Sequence, residues 1–444
     1  MKRQVWIDLT DLSRWTAHMT GIQRVVYNVA FHFHEKGTAR FFAYNRDQGF
    51  HEVDFALISE VLRGPHLKAA AAKQPGFPLR QIHLALSFPS RASGALYRRT
   101  SFAFQERFRG TRAQILRQVQ DARLQRSGVQ PAPPVAHPFS DGDVLLLLGA
   151  SWSDNHILAL SVIKRTVRLS IVHAIMDLIP VKLPQFFVFG IGRDFMTHMF
   201  DVFSVSDHLL AISENTRLDA IEFQQRMNLP AVPISVFRLG DNSASTPAEV
   251  GPDPSIVPGE YVLAVGTLEV RKNYLALYNA WVIAAESGKP FPKLVIVGQT
   301  GWLADDFMYQ AQADPRVADS IVILRSVGDE ELAWLYANCL LTAYPSWYEG
   351  WGLPVGESLH FGKLCIASSA SSVPEIAGDL IDYCAPYDVR GFYETIRRYV
   401  DDPAALAERE ARIAREYVPT SWERSYDDCV VALEALEAGT GASE

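Results

Sequence analysis

The chain has 444 residues, of which 48% are hydrophobic and 21% charged, with a formal net charge of −8. That length exceeds one ordinary core and calls for two large domains, and the apolar share excludes a disordered chain. An acidic total without a recognition motif argues against a nucleic-acid partner, and the four cysteines, Cys339, Cys365, Cys384 and Cys429, lack metal-ligand spacing and read as core thiols.

MKRQVWIDLTD opens the chain and reaches Asp8 after three apolar residues, which is not a secretory signal. The apolar runs Val144 to Ala150 and Cys339 to Ala343 fall well short of the roughly 18 residues a spanning helix needs, so a cytoplasmic protein is expected. VWIDL near Val5 is the first strand-like run, and TGIQRVV from Thr20 follows it. Between Val61 and Gln130 thirteen Lys plus Arg face two acids, Glu106 and Asp121, a net of +11 that leaves the rest of the chain at −19. Arginines interleaved with Tyr97, Phe102, Phe104 and Phe108 fit two readings. One is a basic amphipathic surface for anionic lipid or a polyphosphate; the other is a solvated helical face with its aromatics turned inward.

QPAPPVAHPFSDGD near Gln130 closes that segment and marks it as an insertion. VLLLLG near Val144, LSIVHAI near Leu169 and LLAIS near Leu209 continue the strand-like runs. Asp141 and Asp143 directly precede Val144 and read as a turn feeding a strand. FGIGRD near Gly190 lacks the third glycine and the adjoining strand of a dinucleotide fingerprint. A Pro, Gly and Ser-rich stretch, 241–260, reads as an interdomain linker. Beyond it, YVLAVG, KLVIVG, IVILR and LLTAY near residues 261, 293, 321 and 340 alternate with helix-like stretches. Such alternation predicts an α/β protein of two Rossmann-like, doubly wound domains facing a cleft, with ligands at the carboxyl ends of the strands. The divisions expected are 1–240 with the insertion 61–130, the linker 241–260, 261–405, and helices over 406–444 packing back toward the first domain.

Two turns carry chemistry. GTLEVRKN, from Gly266, follows a strand and sets Arg271 and Lys272 where a helix begins; such a pair either neutralises a diphosphate or is simply solvated. YPSWYEGWGLPVGESLHFGK, from Tyr344, reads as a strand-to-helix turn with Pro354 in the first helical position and Gly362 at the stop. The helix start offers outward N–H groups to an anion, and Gly350 and Gly352 allow close approach to the main chain. Glu349 and Glu357 either serve the helix dipole or accept hydroxyl groups; hydroxyls beside phosphate describe a sugar nucleotide.

With SSASSVPEIAG and GDEELAWLY, these motifs resemble the retaining glycosyltransferases of family 4, the GT-B architecture, from Thr20 to Asp379 and most strongly in the second domain. The resemblance implies that Arg271 and Lys272 hold the donor diphosphate, that Glu349 contacts sugar hydroxyls, and that Glu357 takes the ribose. It sets the backbone of Gly350, Trp351, Gly352 and Leu353 against sugar and phosphate. Gly266 belongs to the diphosphate segment, Arg325 to Val327 would flank the base, and Gly21 would let donor and acceptor meet. A family histidine is expected just before Asp177, but Met176 stands there; His173, three residues earlier, points to the opposite face of an extended strand and is either a catalytic substitute or a core histidine. Asp177 takes the acceptor-side role.

The activity implied is transfer of a hexose, with mannose from GDP-mannose favoured, to a glycan or lipid-diphosphate-linked acceptor in polysaccharide or lipopolysaccharide assembly. No metal and no cofactor beyond the donor is implied, and the basic insertion would touch the inner face of an anionic membrane. A non-catalytic sugar-nucleotide binder, or a hydrolase or phosphorylase on the same fold, is the alternative.

Overall fold

The computed structural model describes residues 3–15, 19, 21–63, 135–150, 152, 156–241 and 245–440. The basic insertion therefore lies outside the described residues from residue 64 onward.

Two sheets organise the chain. The first contains β1 (Val5–Asp8), β2 (Arg40–Asn45), β3 (Gly49–Glu52), β4 (Val144–Leu147), β5 (Ser170–Ile175), β6 (His208–Ala211) and β7 (Ile234–Val236). Their order is β3-β2-β1-β4-β5-β6-β7, parallel throughout except that β3 folds back on β2 as a hairpin. The second contains β8 (Tyr261–Val265), β9 (Lys293–Val297), β10 (Ile321–Leu324), β11 (Leu341–Tyr344), β12 (Cys365–Ser368) and β13 (Asp382–Cys384), all parallel in the order β10-β9-β8-β11-β12-β13. This is the α/β, doubly wound pair expected. Both faces of each sheet are covered, so the strands are continuous apolar runs: Ile7 packs with Val25 and Val29 on one side, and Trp6 with Phe42 and Leu145 on the other.

Seven helices matter to the site: α1 (Gly21–Glu35), α2 (Ile191–Val205), α3 (Glu214–Arg226), α4 (Tyr274–Ser287), α5 (Leu353–His360), α6 (Pro403–Glu416) and α7 (Trp422–Thr440). In α1 the apolar residues Val25, Val26, Val29, Ala30 and Phe33 recur at helical spacing and are all buried. Helix α5 starts from Gly352 at φ +130 and stops before Gly362 at φ +71, conformations that favour glycine.

The chain crosses between the domains twice. After β7 it passes Gly240, where a Cβ would lie 2.5 Å from Trp422, so only glycine permits α7 to start there. Tyr417 donates to Asp241 at 2.5 Å, and Ser425 Oγ to the Arg238 carbonyl at 2.6 Å. Helix α7 then lies on α1, with Tyr426 edge-on to Phe33 at 4.5 Å and Cys429 and Leu433 in the first domain's core. Four cysteines are buried free thiols. FGIGRD opens α2 after the short turn Pro184–Phe186 rather than after a strand, which removes the dinucleotide reading. Asp143 accepts from Trp6 Nε1 and Ser140 N at 2.9 Å, fixing the turn at the amino end of β4. Among the described residues no helix is long and apolar enough to cross a membrane.

Candidate functional site

Strand order reverses between β8 and β11, and at such a switch the two following turns diverge to leave a crevice at the carboxyl edge. Those turns are Gly266–Asn273 and Pro345–Gly352. Adjacent strands thus bring together Arg271 and Glu349, 78 residues apart in sequence.

The pairing is tight. Arg271 donates through Nη1 to Glu349 Oε2 and through Nη2 to Glu269 Oε1, both at 2.5 Å, and through Nη1 again to the Tyr348 carbonyl at 2.9 Å. Lys272 Nζ reaches Glu349 Oε1 at 2.7 Å and Tyr344 Oη at 2.9 Å, and Tyr344 donates to Glu349 Oε1 at 2.8 Å. Burial works to raise the Glu349 carboxyl, but Arg271 and Lys272 outweigh it and hold it down to about 2. Burial lowers the Lys272 ammonium, with Glu349 opposing and Arg271 adding to the shift. Two cations therefore face two carboxylates in a group almost withdrawn from water, where each charge depends on its partners. Glu269, buried to 3% exposure, is a member that sequence reading passed over, although it stands two residues before Arg271.

The first domain faces this group through Asp177. Its Oδ1 accepts from Ile179 N at 3.0 Å; burial raises its carboxyl, and Arg271 works against that. Gly350 lies directly against the first domain. A Cβ there would sit 2.1 Å from the Met176 carbonyl and 3.1 Å from Asp177 Cβ, so its missing side chain admits the other domain rather than a ligand. Gly350→Ala is expected to destabilise the protein by about 1–3 kcal/mol, as overpacking does; thermal unfolding measures it, and an unchanged midpoint would show that the gap yields.

Trp351 is buried to 4% and joins the first domain's core beside Met176 and Ile212. Gly352 takes its positive φ to begin α5. Gly21 meets Leu353 across the interface, 3.9 Å from a would-be Cβ to Leu353 Cδ1, so the starts of α1 and α5 converge. Glu357 is buried, accepting from Tyr336 Oη at 2.8 Å and from Arg24 Nη1 at 2.7 Å. Arg24 was not anticipated; its signal is its place on α1, three residues after Gly21. Gly266, at φ +148, lies against Tyr274 Oη and Lys272 Cε. Arg325 is exposed and Val327 half-buried, at the carboxyl edge of β10, two strands from β8.

His173 does not join this group. Its ring lies in the first domain's interior, 6.1 Å from the His198 ring, with Nδ1 2.9 Å from the Ala174 carbonyl. Alternation along β5 is the reason: Val172 and Ala174 face the core that reaches Met176, while His173 faces the opposite side.

Residues 254–417 match the family Glycosyl transferases group 1. The second half of the chain carries a glycosyltransferase group 1 domain. That domain contains β8 to β13 and the Arg271–Lys272–Glu349 group. The chain is 30% identical over 235 residues to O-antigen chain mannosyltransferase B of Escherichia coli, covering 51% of this chain and 60% of that protein. It is 25% identical over 236 residues to the serotype-specific mannosyltransferase WbdA of Escherichia coli, covering 52% of this chain and 29% of that one. The chain thus spans less than two thirds of either relative's length. Among solved structures, sucrose-phosphate synthase of Thermosynechococcus elongatus matches at a TM-score of 0.59 with 15% identity, over 99% of this chain and 100% of that one. Anabaena HepE, solved with UDP and glucose, matches at 0.57 with 12% identity, over 98% and 100%. These likenesses show the two-domain GT-B fold around the group 1 domain.

Proposed function

We propose that this chain is a retaining family 4 glycosyltransferase that moves mannose from GDP-mannose to a hydroxyl of a glycan or lipid-diphosphate-linked acceptor. The observation that carries the reading is the Arg271–Lys272–Glu349 group at the switch point of the second sheet, with Asp177 facing it from the first domain. The two Escherichia coli mannosyltransferases support the choice of sugar.

In this reading the bond between the anomeric carbon and the β-phosphate oxygen breaks while the acceptor oxygen bonds to the same face, and the acceptor's proton passes to the departing phosphate. Arg271 uses three of its five N–H groups within the protein and Lys272 two of three, leaving donors for the diphosphate. The starts of α1 and α5 add their dipoles, and such preorganised charge stabilises a leaving group better than reorganising water does. Glu349, kept ionised by both cations, accepts sugar hydroxyls while the backbone of Gly350 to Leu353 lies along sugar and phosphate; Glu357 accepts ribose hydroxyls beside Arg24. Arg325 to Val327 flank the base, and Asp177 orients the acceptor. His173 has no part. Asp141 and Asp143 stand at the amino end of β4, away from this edge, and no divalent ion is assigned a role.

A thermal-shift panel of GDP, UDP, ADP and dTDP tests the donor. GDP at a hundred times its dissociation constant should add roughly 2.7 kcal/mol. Stabilisation by UDP instead would overturn the choice of base, and stabilisation by none would overturn the sugar-nucleotide reading. Consumption of GDP-mannose with a synthetic mannobioside then separates a transferase from a protein that only binds.

A further inference from the structure

Arg271 and Glu349 work, in the reading above, only if the turn that carries Glu349 is held in place, and this inference rests on that reading. Tyr348 is the residue through which the holding is done. Its carbonyl receives Arg271, and its peptide leads directly into Glu349. Its hydroxyl leaves the second domain altogether, donating to Asp219 Oδ2 at 2.7 Å and accepting from Asn215 Nδ2 at 2.9 Å, both on α3. Lys182, also of the first domain, pairs with Asp219 and sets its ammonium 5.3 Å from the centre of the Tyr348 ring.

Two further contacts join α3 to the second domain. Thr216 Oγ1 donates to the Gly350 carbonyl at 3.3 Å. Glu375, from the second domain, spreads its carboxylate over the first N–H groups of α3, those of Glu214 and Asn215, at 2.8 Å each. A carboxylate there satisfies two orphan donors and sits at the favourable end of the helix dipole. Behind the turn, Ser372 Oγ lies 3.0 and 2.9 Å from the Glu349 and Trp351 carbonyls, and Ser371 Oγ accepts the Glu349 N–H at 2.8 Å. One wall of the turn therefore belongs to its own domain and the other to the first two turns of α3.

We propose that Tyr348 and Glu375 are positioning residues, through which α3 of the first domain registers the Tyr348–Gly352 turn so that Glu349 and Arg271 reach working geometry only when the domains are docked. Neither residue is assigned to the donor. Docking and donor binding are thus separable, and losing the first lowers turnover while leaving nucleotide affinity in place.

The test uses the full chain, three single variants and one double variant. Tyr348→Phe keeps the ring and leaves Asp219 its lysine; Glu375→Gln keeps the shape at the helix start; Asp219→Ala removes the acceptor from the other side. Transfer is followed from GDP-mannose to a synthetic mannobioside, GDP affinity by calorimetry, and domain separation by small-angle scattering. For Tyr348→Phe, kcat is expected to fall at least about tenfold, a misplacement effect, with the donor KM and the GDP dissociation constant within about threefold. Tyr348→Phe combined with Asp219→Ala should lose less than the two single losses multiplied together, because both remove the Tyr348–Asp219 contact. Glu375→Gln should raise the radius of gyration. An unchanged kcat, losses that multiply in the double variant, or GDP affinity falling in step with kcat would each overturn the proposal. A wild type that transfers nothing refutes the transferase reading instead; scattering then decides, and an unchanged radius in all three single variants sinks the docking.

Discussion

Arg271→Ala is expected to cost at least 10²–10³-fold in kcat and, at the same time, about 3–5 kcal/mol of stability. The first loss follows from removing the fork that faces the departing diphosphate. The second follows from what the fork now holds: Glu349 and Glu269, whose side chains are 8% and 2% exposed, would be left with Lys272 alone between them. Burial already pushes the Glu269 carboxyl up, and Arg271 is the largest force opposing that, so the variant must protonate a carboxylate or admit water. Arg271→Lys separates the two effects. It restores a charge but not a planar pair of donors, so stability should recover further than rate. Urea unfolding and initial rates on the same preparations measure both. Wild-type transfer by Arg271→Ala would remove the residue from the site, and unaltered unfolding would show that the carboxylates are not held by it.

The same group shows what sequence alone conveys. Each turn was legible because a buried parallel strand ahead of it is a near-continuous apolar run: YVLAVG leads to Arg271, and LLTAY leads to Glu349. Strands without that property were missed, and so was buried β12, whose apolar run is only Leu364 to Ala367. In β7, Ile234, Ser235 and Val236 are all only partly buried, and β13 has three residues. The β2–β3 hairpin escaped because its edge strand is half polar. These elements owe their existence to a neighbouring strand offering hydrogen bonds, which no local period encodes.

Pairing was less legible than membership. Arg271, Lys272, Glu349 and Asp177 do converge, yet cations assigned to phosphate are bonded to the carboxylate assigned to sugar. Residue type fixes what a group can bind, whereas the occupant of the moment is decided by distances of 2.5–2.7 Å set by two strands and a domain interface. Gly350 makes the point for backbone. Its missing side chain looked like room for a ligand, but the atom that uses the room is the Met176 carbonyl, 174 residues earlier in the chain. Arg24 and Tyr348 were missed for the same reason, since their partners lie in the opposite domain.

Acid should expose the other buried titratable group. Desolvation lowers His173 to about 4, with His156 adding to the shift and Asp8 opposing it; desolvation, with His173 and His156, lowers His198 to about 3. An unfolded histidine binds its proton near pH 6.5. Between pH 6.5 and 4 the unfolded chain therefore holds more protons than the folded one, and stability falls as pH falls. His173 alone accounts for about 3 kcal/mol over that window, taking 1.36 kcal/mol per pH unit. Asp177 and Glu269, raised by burial, act in the opposite sense, so the informative quantity is a difference between proteins. Wild type and His173→Phe are compared by urea unfolding at pH 7.5 and pH 5. Wild type should lose more stability on acidification than the variant does, because phenylalanine fills the site without a proton to refuse. Equal losses would mean that His173 gains its proton in the folded protein at no cost, and that the interior of the first domain is wetter than the packing of His173 against His198 implies.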